Sequence, residues 1–253
     1  MNSLPKETLK NLSEETRALA SRWPWEEGWV VLNYPIEFMR FTLIYDGPLK
    51  SASGSDNRQD NKHEIRKALH PQLAEVWQGH HSLQREYANA LRFPEYDRTL
   101  REGQLDSAWE TVKGRCREDC DSFLFPMDVG GFCFLPLVTK KLWLTCDLDI
   151  LFLRNEPLGH IINSGGDIDN RLKVLFDALR APETAKELPS SATPGDKESP
   201  LFCLLEDDSL ITAVRVESER LLDSSSMQKE RVRLVIRVTV KVQRLRAITL
   251  DLI

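Results

Sequence analysis

Apolar side chains fall on every second position in two stretches of the chain. In Lys141 to Arg154 (KLWLTCDLDILFLR), Leu142, Leu144, Cys146, Leu148, Ile150 and Phe152 share one side of an extended backbone. In Arg231 to Val242, Val232, Leu234, Ile236, Val238, Val240 and Val242 do the same, with Arg231, Arg233, Arg237 and Lys241 on the other side. This period of two predicts strands with one buried face. Phe38 to Tyr45 (FMRFTLIY), Phe132 to Val138, Leu201 to Leu205 and Leu210 to Val216 are shorter β-branched or apolar runs and also predict strands. The adjacency of 132–138 and 141–154 predicts that those two form a hairpin.

Helical spacing appears elsewhere. Ile65, Leu69, Leu73 and Trp77 recur every four residues and predict a helix over about 62–77. Leu172, Leu175, Phe176 and Leu179 give the stripe of another over about 170–180, and Pro5, Leu9, Leu12, Ala18 and Leu19 suggest one over about 5–21. Asp46-Gly47-Pro48 is a turn signal, and 49–61 and 157–166 read as loops. The Pro/Ser/Thr-rich 181–200 reads as a flexible loop, and the charged, weakly amphipathic stretch about 79–127 as a helical insertion. Together these elements predict an α+β fold, a mixed β-sheet flanked by helices. It would comprise an N-terminal helical extension over 1–30 and a core domain over 31–253.

Composition narrows the class. The 253 residues are 41% hydrophobic and 29% charged, with a formal net charge of -5, so a nucleic-acid partner would have to be met by a local basic face or through metal ions. The polar opening MNSLPKETLKNLSEE has no apolar core of a secretory signal and no apolar run reaches membrane-spanning length, so a cytoplasmic protein without a membrane partner is expected. Of the five cysteines, Cys146 and Cys203 sit in apolar runs, while Cys116 and Cys120 lack the second pair that a zinc finger needs. No serine-hydrolase elbow, phosphate-binding glycine loop or dinucleotide fingerprint is present.

The candidate chemistry lies in Gly165-Gly166-Asp167-Ile168-Asp169-Asn170-Arg171-Leu172-Lys173. Asp167 and Asp169 are two apart and share a side of an extended segment, Asn170 suits a helix cap, and Asp169, Lys173 and Asp177 line one face of the helix that follows. Two carboxylates aimed at one point repel unless a cation lies between them, and a hard divalent ion suits them best. Glu206-Asp207-Asp208-Ser209, directly after the apolar run LFCLL, is a second source of oxygen ligands. A calcium EF-hand is excluded, because its required glycine and glutamate positions hold Leu172 and Ala178. The alternative is that these acids are solvated loop charges and Asp169 an ordinary cap.

The run DIDNRLKVLFDAL (Asp167 to Leu179), followed by LEDDSLITAVRV (Leu205 to Val216), resembles the RusA-like Holliday-junction resolvase family, and FTLIYDGPL resembles that family's opening strand and proline turn. The resemblance implies a small α+β endonuclease used in DNA recombination and repair, acting as a homodimer with Mg²⁺ or Mn²⁺. It implies Asp167, Asp169 and Asp208 as metal ligands, Lys173 as the catalytic lysine, and Asp207, Asp177 and Asn170 in support. The chain departs from the family pattern in its length, its acidity, Leu210 in place of the glutamine after DDS, and the long segment between the two blocks. A non-catalytic nucleic-acid or protein-binding module on the same fold, or a nucleotidyltransferase, remain alternatives to the endonuclease.

Two basic groups offer surfaces for nucleic acid, and the resemblance implies DNA. Arg231, Arg233, Arg237 and Lys241 could track a phosphate backbone from one sheet face. Lys62, Arg66 and Lys67, with His63 and His70, share a helix face. Each also has a plainer reading, as strand-edge protection or a solvated helix face.

Overall fold

A computed structural model describes residues 29–50, 58–80, 83, 124–155, 168–222 and 231–246. Helix 5–21, nearly all of insertion 79–127, loop 157–166 and Asp167 lie outside the described residues. The order of elements is β1 (Trp29–Pro48), α1 (Arg58–Gly79), β2 (Met127–Val129), β3 (Phe132–Val138), β4 (Leu144–Arg154), α2 (Ile168–Leu179), β5 (Leu201–Leu205), β6 (Ile211–Arg220) and β7 (Arg231–Arg246). A 3₁₀ turn over Asp208–Leu210 joins β5 to β6.

The class is α+β, as expected, but the strands form two sheets. One has the order β1-β7-β4-β6, the other β2-β3-β5. In the larger sheet β7 runs antiparallel to both β1 and β4, and β6 runs parallel to β4. In the smaller one β3 pairs antiparallel with β2 and parallel with β5.

The hairpin predicted from 132–138 and 141–154 does not form. The turn at 139–143 instead carries the chain from one sheet to the other. The actual hairpin is β2–β3, closed by Gly130 and Gly131, both at positive φ. Positive φ at both central positions makes the tight two-residue turn that suits twisted strands. Every residue of β3 (FCFLPLV) is buried, because its side chains enter a core on each face of the sheet. A strand covered twice shows an unbroken apolar run instead of alternation.

β4 and β7 show the alternation that their sequences predict. All six residues of the β7 stripe, from Val232 to Val242, are fully buried. They join Leu144, Cys146, Leu148, Ile150 and Phe152 of β4, Leu43 and Tyr45 of β1 and the apolar stripes of α1 and α2 in one core. Each such side chain contributes about 1.5–3 kcal/mol by leaving water. A second, smaller core of Phe132, Phe134, Ala181, Leu188, Leu201 and Cys203 lies beneath 181–200.

That segment, read as flexible from its composition, is tied down at several points. Arg180 bonds Glu187 at 2.9 Å, Lys67 bonds Glu198 at 2.8 Å, and Leu188 is buried. His70 holds its far end: Nε2 donates to the Lys197 carbonyl at 2.9 Å, and Nδ1 accepts from the Phe202 amide at 3.0 Å. No helix among the described residues is long and apolar enough to cross a membrane.

Candidate metal centre

α2 is an amphipathic helix anchored by Val174, Leu175, Ala178 and Leu179. Its first turn carries Asp169, where a carboxylate is favoured by the helix dipole. The Asp169 Oδ1 accepts from the Asn170 amide at 2.7 Å. Asp169 and Lys173 are exposed. Asp177, a turn further along, is not part of the same open surface: Lys62 bonds it at 2.5 Å and Arg180 approaches to 3.7 Å.

The other end of α2 is fixed by a buried guanidinium. Arg66 is 2% exposed and donates to the carbonyls of Asp177 at 2.6 Å and Arg180 at 3.2 Å. The last carbonyls of a helix have no partner within it, so Arg66 supplies one. Burial pushes its guanidinium down to about 10. Backbone pairing of Ala181 N–H with Leu205 C=O at 2.8 Å then ties the end of α2 to the end of β5. The surface role expected of Lys62 and Arg66 is therefore corrected: both are buried and committed to α2. Lys67 is half exposed but paired with Glu198.

β5 delivers the second acid block. Glu206 donates its amide to the Val138 carbonyl at 2.9 Å, and its carboxylate accepts from the Lys140 amide at 2.7 Å. Asp207 accepts from the Lys140 ammonium at 2.7 Å and from the Ser209 amide at 2.8 Å, capping the 3₁₀ turn. The Lys140 hydrogen bond, seconded by Ser209, holds the Asp207 carboxyl down at about 2. Asp207 thus supports the turn through Lys140 and Ser209. Asp208, its neighbour, is exposed and makes no ion pair with another described residue; the same is true of Lys173. The 3₁₀ turn lies against α2, with Leu210 packed into the core that Val174, Leu175 and Ala178 also enter. The two acid blocks are brought to adjoining elements.

Among the described residues no three His, Cys, Asp or Glu side chains are grouped so as to hold a metal ion. Asp167, the third acid of the expected set, is outside them. Exposed carboxylates without a cation partner have the donor chemistry that Mg²⁺ or Mn²⁺ takes, and Asp169 and Asp208 each offer it. A cleft of about 540 Å³ between the start of α1 and residues 189–193 contains neither of them.

The four β7 cations do face outward on the open side of the larger sheet, but each meets an acid of a neighbouring strand. Arg231 and Arg233 bond the two oxygens of Asp46 at 2.8 and 2.6 Å. Arg237 reaches Asp149 at 3.4 Å. Lys241 bonds Asp147, which also accepts from the Thr212 hydroxyl at 2.7 Å. Burial alone would raise the Asp147 carboxyl, but the Lys241 and Thr212 bonds bring it below its ordinary range. The Arg231 bond, with that of Arg233, lowers Asp46 likewise. The face of these cations followed from the sequence, whereas Asp147 and Asp149 were missed. Their polar alternation with the β4 stripe was the available signal.

Nothing in the sequence singled out the 139–143 turn. Trp143 has φ 55°, a conformation that costs a bulky residue roughly 1–2 kcal/mol. The Arg244 guanidinium lies over its ring, 3.7 Å from the centroid. No protein-family model, curated protein or solved structure matches the chain.

Proposed function

We propose that the chain is a divalent-metal-dependent endonuclease that hydrolyses nucleic-acid phosphodiester bonds, with Asp167, Asp169 and Asp208 as the ligands of Mg²⁺ or Mn²⁺. One observation carries this reading. The helix bearing Asp169 and Lys173 packs against the turn bearing Asp208, and these three groups stay exposed and unpaired among the described residues, while acids around them are matched with cations. Exposed carboxylates without an ion-pair partner, carried on adjoining elements, keep their oxygens available to a hard divalent ion.

When bound, the ion supplies Lewis acidity: it makes a water more acidic and offsets charge growing on the phosphate. The chain's own residues do the rest. Lys173, one helical turn from Asp169, offers an ammonium to a phosphate oxygen. Lys140 keeps Asp207 on the turn and so fixes the direction of Asp208. Arg66 and Lys62 hold α2 in place from behind. The resemblance to RusA-like resolvases goes with this reading, and makes a homodimer the expected assembly and branched DNA the first substrate to try.

The test is cleavage of branched, duplex and single-stranded DNA and RNA with Mg²⁺, comparing the wild type with Asp169→Asn and Asp208→Asn. Loss in both variants is expected. Equal activity in all three proteins removes the proposal. Calorimetric titration with Mg²⁺ and Mn²⁺ separates the second reading: nucleic-acid affinity without metal binding would leave a binding module.

A further inference from the structure

The cations of both surfaces that read as basic in the sequence are bonded within the protein, to acids or, for Arg66, to carbonyls; a third group of cations lies at the 139–143 turn. Lys140 and Lys141 belong to that turn, and Arg244 of β7 is stacked on its Trp143. The Lys140 ammonium sits on Asp207, beside Asp208. The Lys141 ammonium lies 5.4 Å above the Phe125 ring. Trp143 carries Arg244 against its ring, and the Gln243 amide donates to the Trp143 carbonyl at 2.9 Å, which fastens the turn to β7. A guanidinium stacked on an indole keeps the N–H groups of its rim, and those suit phosphate oxygens. Arg244 has no carboxylate partner among the described residues, unlike Arg231, Arg233 and Arg237 of the same strand. Trp143 holds a positive φ that glycine would take without strain, and a bulky side chain kept in that conformation is a recurrent mark of a functional turn.

From these features we infer that the 139–143 turn with Arg244 is the docking element for a nucleic-acid strand: Lys141 and Arg244 take its phosphates, and Trp143 provides an aromatic edge for a base. The inference rests on the nuclease reading for its choice of ligand, but it stands on different residues and needs no chemistry. Lys140, whose ammonium sits on Asp207, links the docking turn to the Asp207–Asp208 turn and so sets the bound strand beside it.

Binding is measured by fluorescence anisotropy in EDTA, with labelled single-stranded DNA and RNA as probes. The proteins are the full chain, the Lys141→Ala/Arg244→Ala double variant, Trp143→Gly and, as a control on the neutralised face, Arg237→Ala. The double variant is expected to bind whichever probe the wild type binds about tenfold more weakly, with a salt slope shallower by about 0.7 for each phosphate no longer held. Trp143→Gly is expected to bind about tenfold more weakly with an equal or higher melting temperature, since the aromatic contact to a base goes while backbone strain is relieved. A purely structural tryptophan would lower the melting temperature on removal instead. Arg237→Ala is expected to bind as the wild type does. Unchanged affinity and slope in the double variant, or no binding of either probe by the wild type, overturns the inference. A wild type that binds without cleaving removes the nuclease reading and leaves the docking element; one that cleaves while the turn variants bind normally does the reverse.

Discussion

The sequence carries two sets of aspartates spaced in the same way, and among the described residues Asp147 and Asp149 of one and Asp169 of the other have opposite fates. Asp147 and Asp149 are two apart on β4, as Asp167 and Asp169 are two apart in the sequence, Asp169 lying in the first turn of α2. Either pair could be taken from the sequence for a metal motif. On β4 the neighbouring strand is β7, whose outward side carries cations: Arg237 stands opposite Asp149, and Lys241, two residues beyond the Thr239 that faces Asp147, reaches Asp147. Both acids are held in ion pairs. At α2 one neighbouring element is the 208–210 turn, which brings another acid, while the cations that the other neighbour, α1, turns toward it are taken by Asp177 and the helix end. There Lys173, Asp169 and Asp208 stay unpaired among the described residues. What separates a structural acid from a candidate ligand is thus whether a cation of a neighbouring element reaches it, not its spacing in the chain.

The platform beneath the unpaired set should be the most sensitive place to break this contrast. Arg66→Met removes the partner of two helix-end carbonyls inside the core, and should cost about 3–4 kcal/mol by chemical denaturation. It would also displace α2, so cleavage should fall with stability. A change under about 1 kcal/mol would mean that the α2 end does not depend on this guanidinium.

Next come the acids themselves. Asp169→Asn and Asp208→Asn should each lower metal affinity and cleavage by on the order of 100-fold or more, since losing a residue that merely supports a ligand already costs up to about that much. Both should leave the melting temperature within experimental scatter. Asp147→Asn should do the opposite. It breaks the half-buried bond to Lys241 and weakens that to Thr212, costing about 1 kcal/mol, with cleavage retained. If Asp147→Asn abolished cleavage and Asp169→Asn did not, the two sets would have to exchange roles.

Acidity gives a third separation. On α1, His63 is buried and His70 half-buried, and desolvation pushes both below the ordinary histidine value of 6.5. For His70 the geometry requires the neutral ring, since Nδ1 receives the Phe202 amide. The unfolded chain takes up a proton near 6.5 and the folded chain does so only at lower pH. The stability is therefore fully present above about pH 6.5 and declines as pH falls below it, by up to about 1.4 kcal/mol per histidine per pH unit. Asp207, held at about 2 against an unfolded value of 3.8, contributes stability that is intact above 3.8 and is lost as pH falls toward 2. His70→Gln can keep both hydrogen bonds through its amide and should flatten the upper window only. Melting curves between these windows check it, and an unaltered upper slope in the variant would discard His70 as its source.

How far the sequence could reach follows from range. The β4 and β7 stripes were legible because alternation is local, and every residue placed on the inner face is buried. The stripe of α2 was legible for the same reason. The β3–β4 hairpin was misread because apolar runs announce strands and not partners. β3 pairs in parallel with β5, far along the chain, and no local signal names it. Lys62, His63 and Arg66 looked like a surface row because charge on a helix usually faces water. Their partners lie on α2 and β3, equally remote in sequence, so their burial could not be seen from spacing. The cations of β7 were placed on the right face, but Asp46, Asp147 and Asp149 became their partners only once β1 and β4 were known to flank β7.

The smallest expected effect lies on the open face and calibrates the rest. Arg237 and Asp149 are not equal to the pairs at either end of β7: their atoms are 3.4 Å apart, and the side chains are 67% and 37% exposed. Ion pairs of that exposure are worth about 0–1 kcal/mol. A double-mutant cycle over Arg237→Ala and Asp149→Ala should return a coupling below about 0.5 kcal/mol. The same cycle over Arg233 and Asp46, where two arginines share one carboxylate at 2.6–2.9 Å, should return about 1 kcal/mol. A coupling at Arg237 as large as that at Arg233 would mean that the open face acts as one connected lattice. Asp147 and Asp149 would then be held far more firmly than their exposure implies. Their unavailability to a metal would follow from the whole face and not from their nearest cations, and charge-matching by a single neighbouring strand would no longer explain why Asp147 and Asp149 are held in ion pairs and Asp169 is not.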